Sequence, residues 1–521
     1  MAVRARVRVR TWALVTALSL ALISCGGEDK DGAGEPAKSS GPPPVPAPKA
    51  DWRDCPLTGQ PTRECTTLKV PVDAAKPGSG TLDLAVSRLP ATDLKRRIGA
   101  LVMDPGGPGL PGLYTTANLL PPQIRALFDV VGFDRRGSGA STPFDCGEPA
   151  GAVQKLEETD FADLTKADVV DPTAVERSAK EYITKCRAKY GELTAHLGSR
   201  DVVADLESIR LALGEDKLSL QMVSYGTLVA QEYLREHPDR VRATVLDGTL
   251  DPALTGLAKE LAGAVTLEEA SATSGMTEEE KADAQLRART AGFRSWCSGS
   301  GPAECAIAPK PEEVLKAVSG KTPDLLKAAD AVMVVPSDWP GFSRAVAKAQ
   351  DAAAGDKAAY ADLKSYAVKG FPKDVAAALK SPGHGGGFDQ AVRCQDYAWP
   401  ETTAGFLKEV TDTATRTGLK DNAAYTASVY AVCPSWPRSG TPLGPIAAKA
   451  APKPLVLNSE HDVRTPLAEA KAVAARLPAS LVRAAGQLHG LAQSGNPCVN
   501  TAVLNTLVEA RTPKAGTCPA A

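Results

Sequence analysis

The chain has 521 residues and almost balanced charge, with 60 Lys and Arg residues against 61 Asp and Glu residues and a formal net charge of −1. This balance argues against nucleic acid or an anionic membrane patch as the main partner. The length suffices for one large domain or two.

The N-terminal segment has the pattern of an export signal. Alternate arginines from Arg4 to Arg10 form a positive region, and an apolar stretch runs from Trp12 to Ile23. That stretch is too short to cross a bilayer core of about 30 Å as a helix, but it is typical of a secretory signal. It ends at Leu22-Ile23-Ser24-Cys25-Gly26, which resembles the bacterial lipobox where lipoproteins are cleaved and lipidated. A plain signal peptide with a chance cysteine is the alternative.

We therefore predict a lipoprotein signal peptide over residues 1–24 and a lipidated Cys25 that begins a disordered tether over residues 25–50. The tether is rich in Gly, Pro, Ala and Ser, so it cannot bury enough apolar surface to fold. The protein is then exported and lies on the outer face of the cell membrane, either anchored by lipid or released from the cell.

The cysteine and histidine patterns favour disulfides over metal sites. Eleven cysteines less Cys25 leave ten, an even number in an exported chain. No C-x-x-C pair occurs, and the five histidines show no H-E-x-x-H spacing. We expect neither a metal ion nor another cofactor.

From Leu68 onward, strand-like runs alternate with helical patterns. One helix is predicted from Ser199, as its N-cap, to a stop at Gly214, and another ends at His237-Pro238. The alternation predicts an α/β fold whose mostly parallel sheet carries active groups at the carboxyl ends of its strands. The predicted strands are Leu68–Val72, Leu82–Val86, Ala100–Met103, Phe128–Phe133, Lys217–Leu220, Val241–Gly248, Pro454–Asn458 and Leu481–Ala484.

The sequence between the sixth and seventh of these strands has a different texture. From about Thr255 to about Arg438 it is rich in Ala, Lys, Glu and Asp and contains no strand run of comparable strength. This pattern predicts a helical cap inserted into the fold. The predicted division is a first core part over residues 51–254, a cap over 255–438 and a second core part over 439–521.

A candidate nucleophile lies at a strand-to-helix turn, in Gln221-Met222-Val223-Ser224-Tyr225-Gly226-Thr227. Such a turn exposes a serine hydroxyl above a sheet, and the helix N-terminus directs free N–H groups at whatever the serine attacks. The usual pattern is G-x-S-x-G, and Met222 replaces its first glycine. Alone, the S-x-G tripeptide is also common in ordinary loops.

Partners for this serine follow the two returning strands. Asp462 comes just after the strand ending at Asn458, and His489 comes just after the last predicted strand. Each alone fits a structural role, a helix N-cap for the aspartate and a loop residue for the histidine. Ser…Asp…His is, however, the chain order of the α/β-hydrolase fold. We therefore predict Ser224, Asp462 and His489 as the catalytic triad.

A glycine-rich turn after the strand Ala100–Met103 supplies a further part. In Gly106-Gly107-Pro108-Gly109, the backbone is free to approach a substrate carbonyl and direct an N–H group at a developing oxyanion. A plain tight turn is the alternative. We assign one oxyanion donor to the N–H of Gly107 and the other to the N–H of Tyr225.

Together these motifs resemble the secreted tripeptidyl aminopeptidase family of actinobacteria, a branch of the α/β hydrolases related to proline iminopeptidases. The resemblance extends from about Asp51 to the C-terminus. The chain departs from the family at Met222 and at Asp104, where Asn or His is usual. The residues that carry it are Gly106-Gly107-Pro108-Gly109, Asp134-x-Arg136-Gly137-x-Gly139, Ser224–Thr227, Asp247-Gly248, Arg393-Cys394-Gln395-Asp396, Cys433–Pro437, Asp462-x-x-Thr465-Pro466 and His489-Gly490.

The resemblance implies a serine exopeptidase with an α/β-hydrolase fold, which removes short peptides, often tripeptides, from free N-termini through an acyl-enzyme. Several members of the family are lipoproteins, in agreement with Cys25. The substrate ammonium then needs a carboxylate from the cap, for which we choose Asp396. A carboxylic-ester hydrolase on the same fold is the alternative. A non-catalytic binding lipoprotein would be expected to lack a triad member, and none is missing.

The ten remaining cysteines can pair in many ways, so their number alone does not fix the connectivity. Their spacing suggests pairs of sequence neighbours, and the family resemblance points the same way. The predicted disulfides are Cys55–Cys65, Cys146–Cys186, Cys297–Cys305, Cys394–Cys433 and Cys498–Cys518.

Overall fold

The structure is a computed structural model. It describes residues 48–55, 63–113, 120–254, 256–262, 302–319, 339–350, 360–369, 387–417, 423–446, 452–462, 464–486, 488–492 and 494–519, with the positions 286, 290, 293, 294, 297, 298, 321, 325, 352, 356, 358 and 420. The predicted signal peptide, Cys25 and the tether up to residue 47 lie outside the described residues. Among the described residues, no helix is long and apolar enough to cross a membrane.

The described strands form one sheet in the order β1-β2-β3-β5-β4-β6-β7-β8-β9-β10. Pairing is antiparallel from β1 to β5 along this order and parallel from β5 to β10. The strands are β1 (Arg53–Asp54), β2 (Glu64–Pro71), β3 (Thr81–Leu89), β4 (Gly99–Asp104), β5 (Phe128–Phe133), β6 (Leu218–Val223), β7 (Val241–Asp247), β8 (Leu455–Ser459), β9 (Ser480–Ala484) and β10 (Gly516–Cys518).

Each of the eight predicted strands overlaps a strand of the structure, and the prediction of a mostly parallel sheet flanked by helices is confirmed. The two strands absent from the prediction, β1 and β10, lie at the sheet edges and have only two and three residues. So short a segment gives no readable alternation of apolar and polar side chains.

The described helices cover the sheet and also occur in the insertion between β7 and β8. They are α1 (Pro122–Leu127), α2 (Ala152–Lys155), α3 (Pro172–Tyr190), α4 (Ser199–Leu213), α5 (Gly226–Glu236), α6 (Gly256–Ala262), α7 (Pro311–Ser319), α8 (Trp339–Gln350), α9 (Ala361–Lys369), α10 (Phe388–Asp396), α11 (Thr403–Thr417), α12 (Ala423–Tyr430), α13 (Leu467–Arg476) and α14 (Pro497–Leu507). Helix α4 ends at Gly214 in the left-handed conformation, as predicted. Its N-cap is Gly198 rather than Ser199, because the Ser199 hydroxyl donates to a distant carboxylate instead.

The central strands β4, β5 and β8 are buried on both faces, which is typical of parallel strands covered by helices. In β4 every residue is buried, with Val102 in the apolar core of one face and Leu101 and Met103 in that of the other. The sheet is therefore a rigid platform, and its strand ends hold neighbouring loops at fixed separations.

All the regular secondary structure that the structure describes between β7 and β8 is helical, and loops join these helices. Part of it has an apolar core of its own, in which Phe293 packs edge to face against Phe342 with ring centroids 5.2 Å apart. The helices α10 and α12 instead join the main core through Phe388, Val392 and Ala427. The predicted boundaries at residues 254/255 and 438/439 stay predictions.

Five disulfides join the ten cysteines outside the signal region, with Cα–Cα separations of 4.8–5.7 Å. They are Cys55–Cys65, Cys146–Cys186, Cys297–Cys305, Cys394–Cys433 and Cys498–Cys518, the same pairs as those predicted.

Candidate active site

Ser224 occupies a strained turn between β6 and α5. Its φ of 53° lies in the left-handed region, which residues other than glycine rarely adopt. Three backbone hydrogen bonds of Ser224, to two residues, hold it there. The Ser224 N–H donates to the carbonyl of Asp247 at 2.8 Å, and the Ser224 carbonyl accepts from the Thr227 N–H at 2.9 Å and its hydroxyl at 2.7 Å. The turn thus places a partly exposed hydroxyl at the carboxyl end of the sheet.

Two glycines let this turn pack closely against the end of β4. A Cβ atom on Gly226 would lie 2.9 Å from the carbonyl oxygen of Asp104. One on Gly106 would lie 2.5 Å from the carbonyl oxygen of Val223 and 3.0 Å from the Cβ of Ser224. Since real Cβ atoms do not approach backbone so closely, larger residues would push the glycine-rich turn away from the serine.

Met222, which departs from the usual motif, is completely buried in the main apolar core. It pairs with Asp104 of β4 in the sheet register. Because its side chain packs among core residues, the position accommodates a large residue, while the close approach to β4 depends on Gly226 and Gly106.

His489 and Asp462 form a hydrogen-bonded pair, with 2.8 Å between His489 Nδ1 and Asp462 Oδ2. The Asp462 side chain is 1% exposed and accepts three further hydrogen bonds, from the N–H groups of Arg464 and Thr465 and from the Thr465 hydroxyl. Burial alone would raise the pKa of Asp462. The charge and hydrogen bond of His489 and the two N–H donors outweigh burial, so the pKa lies below its ordinary value.

Asp247, at the end of β7, connects the histidine loop to the serine turn. Its carboxylate accepts from the N–H groups of Leu491 at 2.9 Å and Ala492 at 2.7 Å, while its carbonyl accepts from Ser224. Burial raises the pKa of Asp247 to about 6, although the two N–H groups oppose this. The sequence motif Asp247-Gly248 marked this strand end, but nothing in the sequence indicated that its carboxylate holds the histidine loop.

Gly248 allows the histidine ring to lie close to this strand end. A Cβ atom on Gly248 would lie 2.9 Å from His489 Cε1 and 3.1 Å from the Thr465 hydroxyl oxygen. The strands β6, β7, β8 and β9 are successive neighbours in the sheet. The loops of Ser224, Asp462 and His489 therefore lie together at the carboxyl ends of these strands. This is the arrangement that a Ser-His-Asp triad requires.

The glycine-rich turn is shaped by an ion pair beneath it. Asp104 Oδ1 accepts from the Gly106 N–H at 2.8 Å, and Asp104 Oδ2 lies 2.9 Å from Arg135 Nε. Both charged side chains are 2% exposed. Asp104 stands where Asn or His is usual in the family that the chain resembles, and the buried Arg135 balances its charge.

The orientation of the Gly107 N–H follows from the same turn. The Gly106 carbonyl accepts from the Leu110 N–H at 3.1 Å. Because the C=O and N–H of a trans peptide point in opposite directions, the Gly107 N–H points away from Leu110. Tyr225 precedes the first turn of α5, where backbone N–H groups have no partner within the helix. A Cβ atom on Gly106 would lie 2.8 Å from the Tyr225 nitrogen, so the two predicted donor segments are in contact.

Asp396, the residue expected to bind the substrate ammonium, has a structural role instead. It is 2% exposed. Its two oxygens accept from the N–H and the hydroxyl of Ser199, both at 2.7 Å, and from the Tyr225 hydroxyl at 2.9 Å. Burial raises its pKa to about 6 against these hydrogen bonds. A carboxylate that is buried and fully engaged in this way does not face an open subsite, and the prediction is corrected on that ground.

Two further observations concern ligands and surface cavities. Among the described residues, no group of three or more His, Cys, Asp or Glu side chains is placed to hold a metal ion. A surface cavity of about 500 Å³ is lined by Asp51, Arg53, Thr66 and Leu113 among others and is separate from the triad residues.

Comparison with known proteins finds two family models that each match part of the chain. The family described as alpha/beta hydrolase fold matches residues 99–273, which include Ser224. The family described as TAP-like protein matches residues 420–519, which include Asp462 and His489.

Three relatives illustrate the range of names among similar proteins. Tripeptidyl aminopeptidase of Streptomyces lividans is 29% identical and aligns over 89% of this chain and 85% of its own length. Serine protease Hip1 of Mycobacterium tuberculosis is 34% identical over 48% of each chain. Carboxylesterase B of the same species is 29% identical over 94% of this chain and 92% of its own.

Proposed function

We propose that this chain, which has the α/β-hydrolase fold and is similar to tripeptidyl aminopeptidases, is a serine exopeptidase that releases short peptides, tripeptides above all, from free N-termini. One observation carries this proposal most directly. Asp247 holds the serine turn through its carbonyl and the histidine loop through its carboxylate, so Ser224 and His489 share one anchor. An arrangement fixed in this way suits proton transfer between the two side chains.

In the proposed mechanism, His489 takes the proton of the Ser224 hydroxyl as the oxygen attacks the scissile carbonyl. Asp462 accepts from His489 Nδ1, which fixes the imidazole tautomer and stabilises the imidazolium. The N–H groups of Gly107 and Tyr225 stabilise the oxyanion of the tetrahedral intermediate. His489 then protonates the leaving amine, and water hydrolyses the acyl-enzyme by the same route.

Substitution of the nucleophile tests this assignment. Ser224→Ala removes the attacking oxygen, and we expect kcat to fall by about 10⁴-fold or more while the fold is retained. A fluorophosphonate probe should label Ser224 in the wild-type protein and leave the variant unlabelled. Ser79→Ala, at an exposed position in the short 3-10 helix Pro77–Ser79 between β2 and β3, is the matched control and should keep wild-type activity. Near-normal turnover in Ser224→Ala would contradict the proposal.

An esterase is the second candidate, because the relative named Carboxylesterase B aligns over nearly the whole chain. The two activities differ in their need for a free amine. An exopeptidase desolvates the substrate ammonium and pairs it with an acceptor, and losing such a pair costs about 2–5 kcal/mol. We expect tripeptide amides with a free N-terminus to exceed their N-acetylated forms by more than about thirtyfold in kcat/KM. Equal rates, together with faster cleavage of simple esters, would favour the esterase.

We further propose that the protein is exported and anchored by lipid at Cys25. The proposal is supported by the signal-like N-terminal sequence and by the five disulfides, which form in oxidising compartments. The wild-type protein should enter the detergent phase on phase separation, and Cys25→Ser should abolish this behaviour. A mature protein whose unmodified N-terminus lies beyond Cys25 would contradict lipidation while leaving export intact.

A further inference from the structure

One helix of the insertion, α10, contacts both residues that we assign to the oxyanion hole. Arg393 Nη2 donates to the Gly107 carbonyl at 3.4 Å. The guanidinium carbon of Arg393 also lies 5.2 Å from the centroid of the Tyr225 ring, within the range of a cation–π contact. A single side chain from the insertion thus touches the residues that supply both predicted donors.

The same helix holds the Tyr225 side chain at its other end. Asp396 accepts from the Tyr225 hydroxyl at 2.9 Å, and the Tyr225 residue is 1% exposed. The guanidinium carbon of Arg135, which is paired with Asp104 beneath the glycine-rich turn, lies 5.5 Å from the Tyr225 ring. Tyr225 is therefore held by charged groups from the core and from the insertion together.

Close packing and a disulfide seat α10 against the core. A Cβ atom on Gly137 would lie 2.6 Å from the Phe388 ring, and one on Gly198 would lie 3.0 Å from Asp396 Oδ1. The disulfide Cys394–Cys433 ties α10 to the end of the insertion. Arg393 itself is 16% exposed on its side chain and forms an ion pair with Asp389 one turn earlier, at 2.6 Å. The position of Arg393 is therefore fixed from several sides.

We propose that Arg393 is a positioning residue that couples the seating of the insertion to the geometry of the oxyanion hole. The turn that it contacts contains Gly106 and Gly107 in left-handed conformations, and glycines have the greatest backbone freedom when contacts are lost. Holding the Gly107 carbonyl restrains this turn, and holding the Tyr225 ring restrains the start of α5. This inference rests on the proposed serine-hydrolase function.

The substitution Arg393→Met tests the inference, because it keeps the length and apolar volume of the side chain but removes its charge and its donors. Loss of one oxyanion donor costs about 10²–10³ in kcat, and misalignment should cost less. We expect kcat to fall by about 10- to 100-fold while KM stays within about twofold. Arg393→Lys keeps the charge but not the planar fork, so it should recover part of the loss.

Arg438→Met is the matched control. Arg438 donates to the carbonyls of Cys394 and Cys433, so it braces the same part of the insertion without contacting Gly107 or Tyr225. We expect its kcat to remain within about twofold of wild type, because the predicted oxyanion donors keep their supports. A kcat loss in Arg438→Met equal to that in Arg393→Met would assign the effect to folding of the insertion and overturn the inference.

A tripeptide aldehyde gives a second readout, since its adduct with the serine places an oxyanion in the hole. Its inhibition constant should rise in Arg393→Met in parallel with the fall in kcat, whereas that of the product tripeptide should not change. A change confined to KM and product binding would instead make Arg393 a substrate contact and overturn the inference.

Fluorophosphonate labelling separates the two proposals. Labelling of Ser224 with unimpaired turnover in Arg393→Met refutes this inference alone, whereas wild-type protein unlabelled at Ser224 refutes the proposed function.

Discussion

The acid of the triad and the oxyanion side of the site are held by different means. Asp462 is fixed by the N–H groups of Arg464 and Thr465, two and three residues along the chain. The oxyanion side has one local support, from Asp104 to the Gly106 N–H, but it also depends on long-range side-chain contacts. Arg393 reaches Gly107 and Asp396 reaches Tyr225 from the insertion. The position of Asp462 is therefore set by hydrogen bonds within its own loop. The positions of Gly107 and Tyr225 depend also on how the insertion packs on the sheet.

This comparison implies that single substitutions on the two sides have different consequences. A change to a triad residue should remove a chemical group and leave the surroundings intact. A change to a residue that holds the oxyanion side, such as Arg393 or Asp396, should leave the catalytic groups in place. It should instead alter the geometry of the site or the pH dependence of stability. The following predictions take these cases from the largest expected effect to the smallest.

The largest effect is expected at the acid. Asp462→Asn should lower kcat by about 10⁴-fold, as in the serine protease case where the same change imposes the wrong histidine tautomer. Glu460→Gln is the control, because Glu460 lies on the same loop, is partly exposed and pairs with Arg483 at 3.6 Å. The kcat of each variant, measured by steady-state kinetics on one peptide substrate, shows which of the two residues is the catalytic acid. A severe loss in Glu460→Gln with an active Asp462→Asn would place the acid two residues earlier.

An intermediate effect is expected at Asp247, which connects the histidine loop to the serine turn. In Asp247→Asn, the amide can accept from only one of the Leu491 and Ala492 N–H groups, and its NH₂ group faces the other. The histidine loop should shift, and a displacement of about 1 Å costs about 10²-fold in rate. Stopped-flow acylation should show this loss with Ser224 still open to the fluorophosphonate. Unchanged acylation would mean that Asp462 alone is sufficient to place His489.

The smallest effect concerns pH and lies on the oxyanion side. Burial raises the pKa of Asp396 to about 6 from an ordinary 3.8, so between these values the folded chain holds a proton that the unfolded chain has released. The contribution of Asp396 to stability therefore falls as the pH rises through this window and is level above it. Relative to Asp396→Asn, the wild type should lose about 1 kcal/mol of unfolding free energy between pH 5 and pH 7.5. Denaturant unfolding measures this, and a constant difference between the two proteins would contradict it.

The sequence by itself determined the order of the strands along the chain, the turn of Ser224 and the order of serine, aspartate and histidine. These features depend on residues close together in the chain, since apolar runs, glycines and turn residues give local signals. The five disulfides join cysteines that lie 8 to 40 residues apart, and the spacing of the cysteines suggested these pairs together with the family resemblance.

Only the tertiary structure decided which side chains support the site. Asp247 binds the histidine loop 244 residues away, Asp396 binds Tyr225 across 171 residues, and Arg393 reaches Gly107 across 286. The sequence contains 61 Asp and Glu residues and has no pattern that selects among them for such long-range pairs. The same reason explains why Asp396 looked like a ligand for the substrate ammonium in the sequence. Its neighbours Ser199 and Tyr225 come close only when the insertion packs on the sheet, and they then occupy both of its oxygens.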